Sequence, residues 1–477
     1  MTTGNTGITP TARIYVSFSS SGLFGSTQTY PLHHPDQQIL TNQEILGQIQ
    51  ERCDGVEFVG GTDVEDQKAA VANVHADIAN IDGVLYFGDV PPDLLQMDLP
   101  IVAVHPLWGQ WQYPYDAYGA DRVLTASLPV IPDASGETFL ARLRSIADKI
   151  RLVQTVTTIK DLKVLIVTDK PILGRYEPTA LQLEEEGWDA YEERYLANLE
   201  TLGPEVIARP QEEMIGTMDG VDEDEAREIT QRWMREAVGI RGTNEDEIQK
   251  SARLYLAMKG MMKEYDADAI TTEGYGVFMN YPAGPIPSQG MPSSQLCTEG
   301  IVATSETLVD SLVTQQLGLF AIGTTGFNGD YVIDEETDRA YIGHCECPFN
   351  PYGGDRRVPY AIRNLPQWPA DQQEKGGASA QVFLPANEHV TVTKVSVHDE
   401  KLSLFSGETV DGETLFPGWH DILCRTKVAV QTDARKLLEN LDWRTFGNHR
   451  VVFYGDHREH WTDLAKLLQY EVITKDI

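Results

Sequence analysis

The chain has 477 residues, and 72 acidic against 38 basic side chains give a formal net charge of −34. Hydrophobic residues at 41% and charged residues at 23% are ordinary for a folded chain and exclude wholesale disorder. Such a charge, with no basic block, excludes nucleic acid or an anionic membrane surface as partner, because phosphate binding needs clustered cations.

The acidic residues are spread rather than gathered in a tail, as at Glu184-Glu185-Glu186, Asp222 to Glu225 and Asp334 to Asp338. This pattern suits a solvated surface adapted to high salt, where a Debye length of about 3 Å at 1 M removes most self-repulsion. Five cysteines, Cys53, Cys297, Cys345, Cys347 and Cys424, are too few and odd in number for a disulfide scaffold. Met1 to Ala12 lacks a basic residue and an apolar core, and no apolar run reaches about 18 residues. The expectation is a cytoplasmic protein.

In chain order, residues 1–160 alternate short apolar runs with helical patterns. The expected strands are Arg13–Phe18, Val56–Val59, Gly83–Phe87 and Pro100–Val104, and helices are expected over Asn42–Cys53 and Val64–Asn80. Such alternation predicts a parallel sheet covered on both faces. From Glu137 to Thr155, Phe139, Leu143, Ile146, Ile150 and Val153 recur at spacings of three and four and form one apolar helix stripe.

A second α/β unit opens at Lys163–Thr168, and the helical patterns Glu223–Ala237 and Glu245–Tyr265 follow, the latter with Thr243 as its expected N-cap. Ala267–Thr272 reads as a strand leading into a Gly/Pro-rich loop, Glu273 to Pro292, and a helix is expected from about Ser305 to Leu317. From Ser379 the texture turns to alternating β residues. Val390–Val397 and Lys401–Phe405 predict a hairpin about Asp399-Glu400, with another strand at Thr426–Val430. The expected domains are 1–160, 161–378 and 379–477.

No P-loop, nucleophile elbow, H-E-x-x-H or G-x-G-x-x-G motif occurs. Possible hard-metal ligands lie on loops between apolar segments: Glu299 in Cys297-Thr298-Glu299-Gly300, Asp330 in Phe327-Asn328-Gly329-Asp330, His344 in Gly343-His344-Cys345, and His449 in Gly447-Asn448-His449. Carboxylates with imidazoles suit Mn²⁺, Mg²⁺ or Fe²⁺ better than a closed thiolate zinc site. The residues alone also permit simple turns at Glu299 and Asp330, a helix C-cap at Gly447-Asn448-His449, and zinc at His344-Cys345-Glu346-Cys347.

Residues from about 220 to 475 resemble the L-fucose isomerase/L-arabinose isomerase superfamily of metal-dependent aldose–ketose isomerases. The resemblance rests on Asp246–Ala257, Tyr265–Ile270, Cys297–Gly300, Phe327–Asp330, Gly343–Cys345, Cys424–Thr426 and Gly447–His449, ahead of Phe453-Tyr454-Gly455-Asp456. It implies two Rossmann-like α/β domains with parallel sheets and a C-terminal domain containing an antiparallel β-barrel. It also implies a divalent ion, usually Mn²⁺ (Mg²⁺, Co²⁺ or Fe²⁺ as substitutes), and a homo-oligomer, often a hexamer. Glu299 takes the place of the first metal-binding carboxylate, Asp330 that of the second, and His449 that of the late histidine. His344 resembles a further histidine ligand of the arabinose branch, in which a glutamate–aspartate pair stands where this chain has Asn328-Gly329-Asp330.

The implied reaction moves a proton between C1 and C2 of an unphosphorylated sugar through a cis-enediol, with Glu299 and Asp330 dividing the proton transfers. A metal-assisted epimerase or lyase on a related polyol or sugar acid, and a non-catalytic sugar-binding protein, are the alternatives.

Overall fold

A computed structural model describes residues 8–18, 40–63, 66–107, 117, 119–129, 136–169, 184–273, 287–365, 377–440 and 443–474. Most of the Gly/Pro-rich loop expected over 273–292 lies outside them. The chain divides into two compact units: residues 9–158 with 460–470, and residues 1–8 with 159–459 and 471–477.

The first unit holds strands β1 (Ala12–Phe18), β2 (Val56–Asp63), β3 (Gly83–Phe87), β4 (Ile101–Leu107) and β5 (Val123–Pro129) in one sheet of order β2-β1-β3-β4-β5. Every pairing in it is parallel, as the alternating pattern predicts. β3 is buried along its whole length, which explains its uninterrupted apolar sequence. The helix Glu137–Thr158 buries Phe139, Leu143, Ile146, Ile150 and Val153, the stripe read from spacing.

The second unit contains three sheets. β6 (Lys163–Val167), β7 (Glu205–Arg209), β9 (Ala269–Thr272) and β10 (Ala303–Ser305) form a parallel sheet of order β10-β9-β6-β7. The helices Glu223–Glu236 and Glu245–Glu264 belong to this unit. The latter is capped by Asn244, whose side chain accepts from the Glu247 N–H, and not by the expected Thr243, whose hydroxyl donates to the Gly377 carbonyl. Asn matches Ser and Asp as an N-cap and outranks Thr. β8 (Ile240–Arg241), β13 (Tyr360–Arg363) and β14 (Ser379–Val382) make a small sheet of order β14-β13-β8.

The third sheet contains β11 (Phe327–Asp334), β12 (Arg339–His344), β15 (His389–Ser396), β16 (Lys401–Val410), β17 (Thr426–Gln431), β18 (His449–Tyr454) and β19 (Glu471–Thr474). Its order is β15-β18-β11-β12-β17-β16-β19, with a further antiparallel pairing of β15 to β16. Ser396 pairs with Lys401 in that hairpin, so the turn falls at the expected Asp399-Glu400. This sheet draws two strands from before residue 378 and five from after it.

One continuous core runs through the second unit, from Leu165 and Ile270 of the parallel sheet to Phe327, Ile342, Val392 and Val452 of the mixed one. Gly318 and Gly326 leave room for the ring of Phe453, and a Cβ at either would collide with it. That close approach packs the helix Val309–Ile322 against β18 and fixes the strand on which His449 stands.

Candidate metal centre

Strands β12, β11 and β18 are neighbours, and their register sets the site. Asp330 of β11 pairs with Gly343 of β12 on one side and with His449 of β18 on the other. His344 is the last residue of β12. Ligand-type residues far apart in sequence are thus brought together by cross-strand pairing.

A further carboxylate comes from the parallel sheet. The helix expected from Ser305 begins only at Val309; Ser305 closes β10, and Glu306 and Thr307 turn with φ of 69° and 55°. Two consecutive non-glycine residues in left-handed backbone are strained and persist only where their surroundings hold them. Here the Thr307 N–H donates to the Thr272 carbonyl at 3.0 Å, and the Ser305 N–H donates to Glu346 Oε1 at 3.0 Å.

The turn brings the Glu306 carboxylate to the histidines. Its Oε1 lies 3.9 Å from His344 Nε2 and its Oε2 lies 3.9 Å from His449 Nε2. Asp330 Oδ1 lies 3.6 Å from His449 Nε2. Glu306, His344 and His449 each offer a ligand atom within 4.8 Å of the others, and among the described residues no other group of three does so. Two ligands bound at about 2.1 Å to one ion lie about 3–4 Å apart, so these separations suit a shared divalent cation.

Hydrogen bonding supports the same conclusion. His344 Nδ1 and His449 Nε2 are buried without a hydrogen-bond partner among the described residues, which is costly for polar atoms unless something completes them. Asn448 organises the pair from behind: its Oδ1 lies 3.1 Å from His449 Nδ1, and its Nδ2 donates to Asp330 Oδ1 at 2.9 Å. A proton on Nδ1 leaves the Nε2 lone pair free, the form in which imidazole binds metal.

Burial holds the His344 imidazole down at about 4. Burial, with His344, Lys394 and Arg450 nearby, holds His449 well below its ordinary range. Both rings are therefore neutral at pH 7, as ligation requires. Asp330 keeps 46% of its side-chain surface yet is hemmed in by protein, and loss of solvation raises its carboxyl to about 6. Glu346, 3.7 Å from His344 Nδ1, is fully enclosed and raised by burial to about 7.

His344, His449 and Asp330 therefore come together, but Glu299 does not join them. Glu299 caps the helix Gly290–Thr298 before β10, while Glu306 follows β10, so the two carboxylates sit at opposite ends of one strand. Glu299 accepts from Tyr255 Oη at 2.7 and 2.9 Å, from Gln295 Nε2 at 2.7 Å and from Lys259 Nζ at 3.2 Å. Burial, then the Glu299 charge, pushes the Tyr255 phenol up to about 12. The sequence does not single out Glu306, and it shows Asn448 only as part of the Gly447-Asn448-His449 motif, without its role between Asp330 and His449. The only local sign of Glu306 was an acid in Ser305-Glu306-Thr307, between two apolar runs.

No protein-family profile matches the chain. It is distantly similar to a sugar isomerase: the sulfoquinovose isomerases of Priestia aryabhattai and Priestia megaterium are 23% identical to it over 333 residues, covering 67% of this chain and 67% of theirs. Among solved structures, a carbohydrate transporter from Acidothermus cellulolyticus in complex with myo-inositol matches at 13% identity over 66% of this chain and 93% of its own, with a TM-score of 0.15. A glucose-galactose binding protein from Geobacillus stearothermophilus matches at 11% over 65% and 90%, with a TM-score of 0.14. Scores that low carry no argument about fold. No described helix is long and apolar enough to cross a membrane.

Proposed function

We propose that this chain is a divalent-metal-dependent aldose–ketose isomerase of an unphosphorylated sugar, with Glu306, Asp330, His449 and His344 around the ion. The observation that carries it is the convergence of the Glu306 carboxylate on Nε2 of two buried imidazoles, that of His449 unpartnered, beside an Asp330 raised to about 6. The 23% identity to sulfoquinovose isomerases supports an isomerase over the epimerase, lyase and binding-protein alternatives. The ion, Mn²⁺ by expectation, would supply Lewis-acid stabilisation of the charge that develops on the sugar oxygens. Glu306 and Asp330, at 3.9 Å and 3.6 Å from His449 Nε2, divide the proton work: one takes the carbon-bound proton and the other manages the hydroxyl proton. Asn448 holds Asp330 and His449 in register for that exchange.

We read the pairings that run β15-β18-β11-β12-β17-β16 and back to β15 as the antiparallel barrel, with three domains and a homo-oligomer as the wider organisation. The test is proton exchange from deuterated water into a panel of pentoses, hexoses, deoxysugars and sulfoquinovose. Activity on at least one sugar, abolished by EDTA and restored best by Mn²⁺, is the expected result. Full turnover after exhaustive chelation, with no metal in the protein by mass spectrometry, would overturn the reading.

A further inference from the structure

Each histidine of the metal centre has a side-chain oxygen behind it. His449 Nδ1 faces Asn448 Oδ1 at 3.1 Å. His344 turns Nε2 toward Glu306 Oε1 at 3.9 Å and Nδ1 toward Glu346 Oε1 at 3.7 Å. That same Glu346 oxygen accepts from the Ser305 N–H at 3.0 Å, on the residue directly ahead of Glu306. One oxygen atom therefore faces both the His344 ring and the turn that carries Glu306.

The backbone on both sides of Glu346 is anchored. The Cys345 carbonyl accepts from Ser379 Oγ at 2.9 Å, and the Cys347 N–H donates to Ser294 Oγ at 2.9 Å. Gly290 lets the helix Gly290–Thr298 close on this segment, since a Cβ there would lie 2.6 Å from the Cys345 carbonyl oxygen. Glu346 itself is buried, and its ion-pair partner among the described residues is His344. Enclosing a carboxylate is costly, so its placement against an imidazole calls for a reason. The neighbouring thiols do not supply one: Cys347 donates to the Pro348 carbonyl, and no group of three metal-type ligands among the described residues includes Cys345 or Cys347. In the run His344-Cys345-Glu346-Cys347 it is the acid that faces the histidine.

We propose that Glu346 is a positioning residue for the metal centre, whose Oε1 keeps the His344 proton on Nδ1 and clamps the turn on which Glu306 stands. The inference rests on the metal-centre reading above. An imidazole that directs Nδ1–H at a carboxylate presents a free lone pair at Nε2, and the carboxylate makes that nitrogen a better ligand. The Ser305 contact acts on the other ligand. Glu306 and Thr307 are both left-handed, and such backbone persists only while its neighbours hold it. Loss of the carboxylate therefore misplaces two ligands at once.

The test measures Mn²⁺ affinity of the full, metal-stripped chain by electron paramagnetic resonance of the free ion, for the parent, Glu346→Ala and Glu346→Gln. Glu346→Ala removes both contacts and is expected to weaken binding about 10–100-fold, whereas Glu346→Gln keeps an oxygen for both N–H groups and should stay within about threefold of the parent. Urea unfolding of the metal-free proteins checks that each is folded. A folded Glu346→Ala that binds as tightly as the parent, or a Gln variant that loses as much as the Ala variant, would overturn the role. A second measurement needs neither metal nor a change at Glu346: ¹⁵N NMR of the histidine-labelled parent, with the His344 signal identified by its loss in His344→Gln. The proton is expected on Nδ1, and a proton on Nε2 would overturn the proposal even where Glu346→Ala does not fold. A parent that takes up no Mn²⁺ would overturn this role and the metal centre together. The expected Mn²⁺ affinities without isomerisation of any sugar would support the role of Glu346 and place the fault in the proposed function alone.

Discussion

Two glutamates bracket strand β10, and they could hardly be placed more differently. Glu299, ahead of the strand, receives hydrogen bonds from Tyr255, Gln295 and Lys259, and the nearby ammonium balances its charge. Glu306, behind the strand, is set on a strained turn and faces two buried imidazoles, each of which has one nitrogen without a partner among the described residues. A satisfied carboxylate stabilises a fold, whereas an incompletely satisfied cluster of neutral rings and acids is poised to take something up. The contrast separates a carboxylate whose hydrogen bonds are met from one set against buried imidazoles, where residue type alone does not.

The sharpest way to break this contrast is to exchange charge for amide at each end. Glu306→Gln is expected to lower turnover at least about a hundredfold while the melting curve of the metal-free protein changes little, because an amide is a poor ligand and a poor base. Glu299→Gln should do the reverse: turnover within a few-fold of the parent, and a stability loss of about 1–3 kcal/mol from a disturbed hydrogen-bond set. Parallel kinetics and urea unfolding decide it. Equal losses of turnover at both positions would erase the distinction and return Glu299 to the metal.

A smaller effect is expected from pH in the metal-free protein. His344 is held at about 4 against an ordinary value near 6.5, so between those values the unfolded chain binds a proton that the folded chain refuses. Its contribution to stability is present above pH 6.5 and is lost as the pH falls toward 4. Asp330, raised to about 6, works in the opposite sense, since the folded chain binds its proton first and acidification from pH 6 favours folding. Replacing each should therefore tilt the pH dependence in opposite directions. Between pH 7 and 5 in EDTA, His344→Gln should lose less stability than the parent, by about 1–2 kcal/mol, and Asp330→Asn should lose more. Urea midpoints at the two pH values are the measurement, and matching slopes for both variants would contradict the burial argument.

The smallest local effect concerns salt. Lys259 keeps 36% of its side-chain surface and Glu299 26%, so this ion pair is open to screening, whereas His344 and His449 are enclosed. Lys259→Met should cost up to about 1 kcal/mol in dilute buffer and less in molar KCl. With −34 charges on the chain, the parent should melt higher in 3 M than in 0.05 M KCl. A flat or falling melting temperature would remove the high-salt reading of the composition.

Much of the framework was legible from residue order because its causes are local. Spacings of three and four made the Glu137–Thr158 stripe, and all five of its residues are buried. Alternating β residues about Asp399-Glu400 made the β15–β16 hairpin, with its turn where it was expected. His344, His449 and Asp330 could be singled out because imidazoles and acids at the ends of apolar runs are chemically conspicuous. Which glutamate joins them is a different kind of question. Thr298-Glu299-Gly300 and Ser305-Glu306-Thr307 are locally alike, each an acid in a short polar break. The choice depends on a left-handed turn held by Thr272 and Glu346, residues distant in the chain. It depends also on the strand register that sets Asp330 against His449. Neither the turn nor the register is encoded in a local pattern, so only the folded sheets decide that Glu306 faces the histidines and Glu299 faces Tyr255 and Lys259.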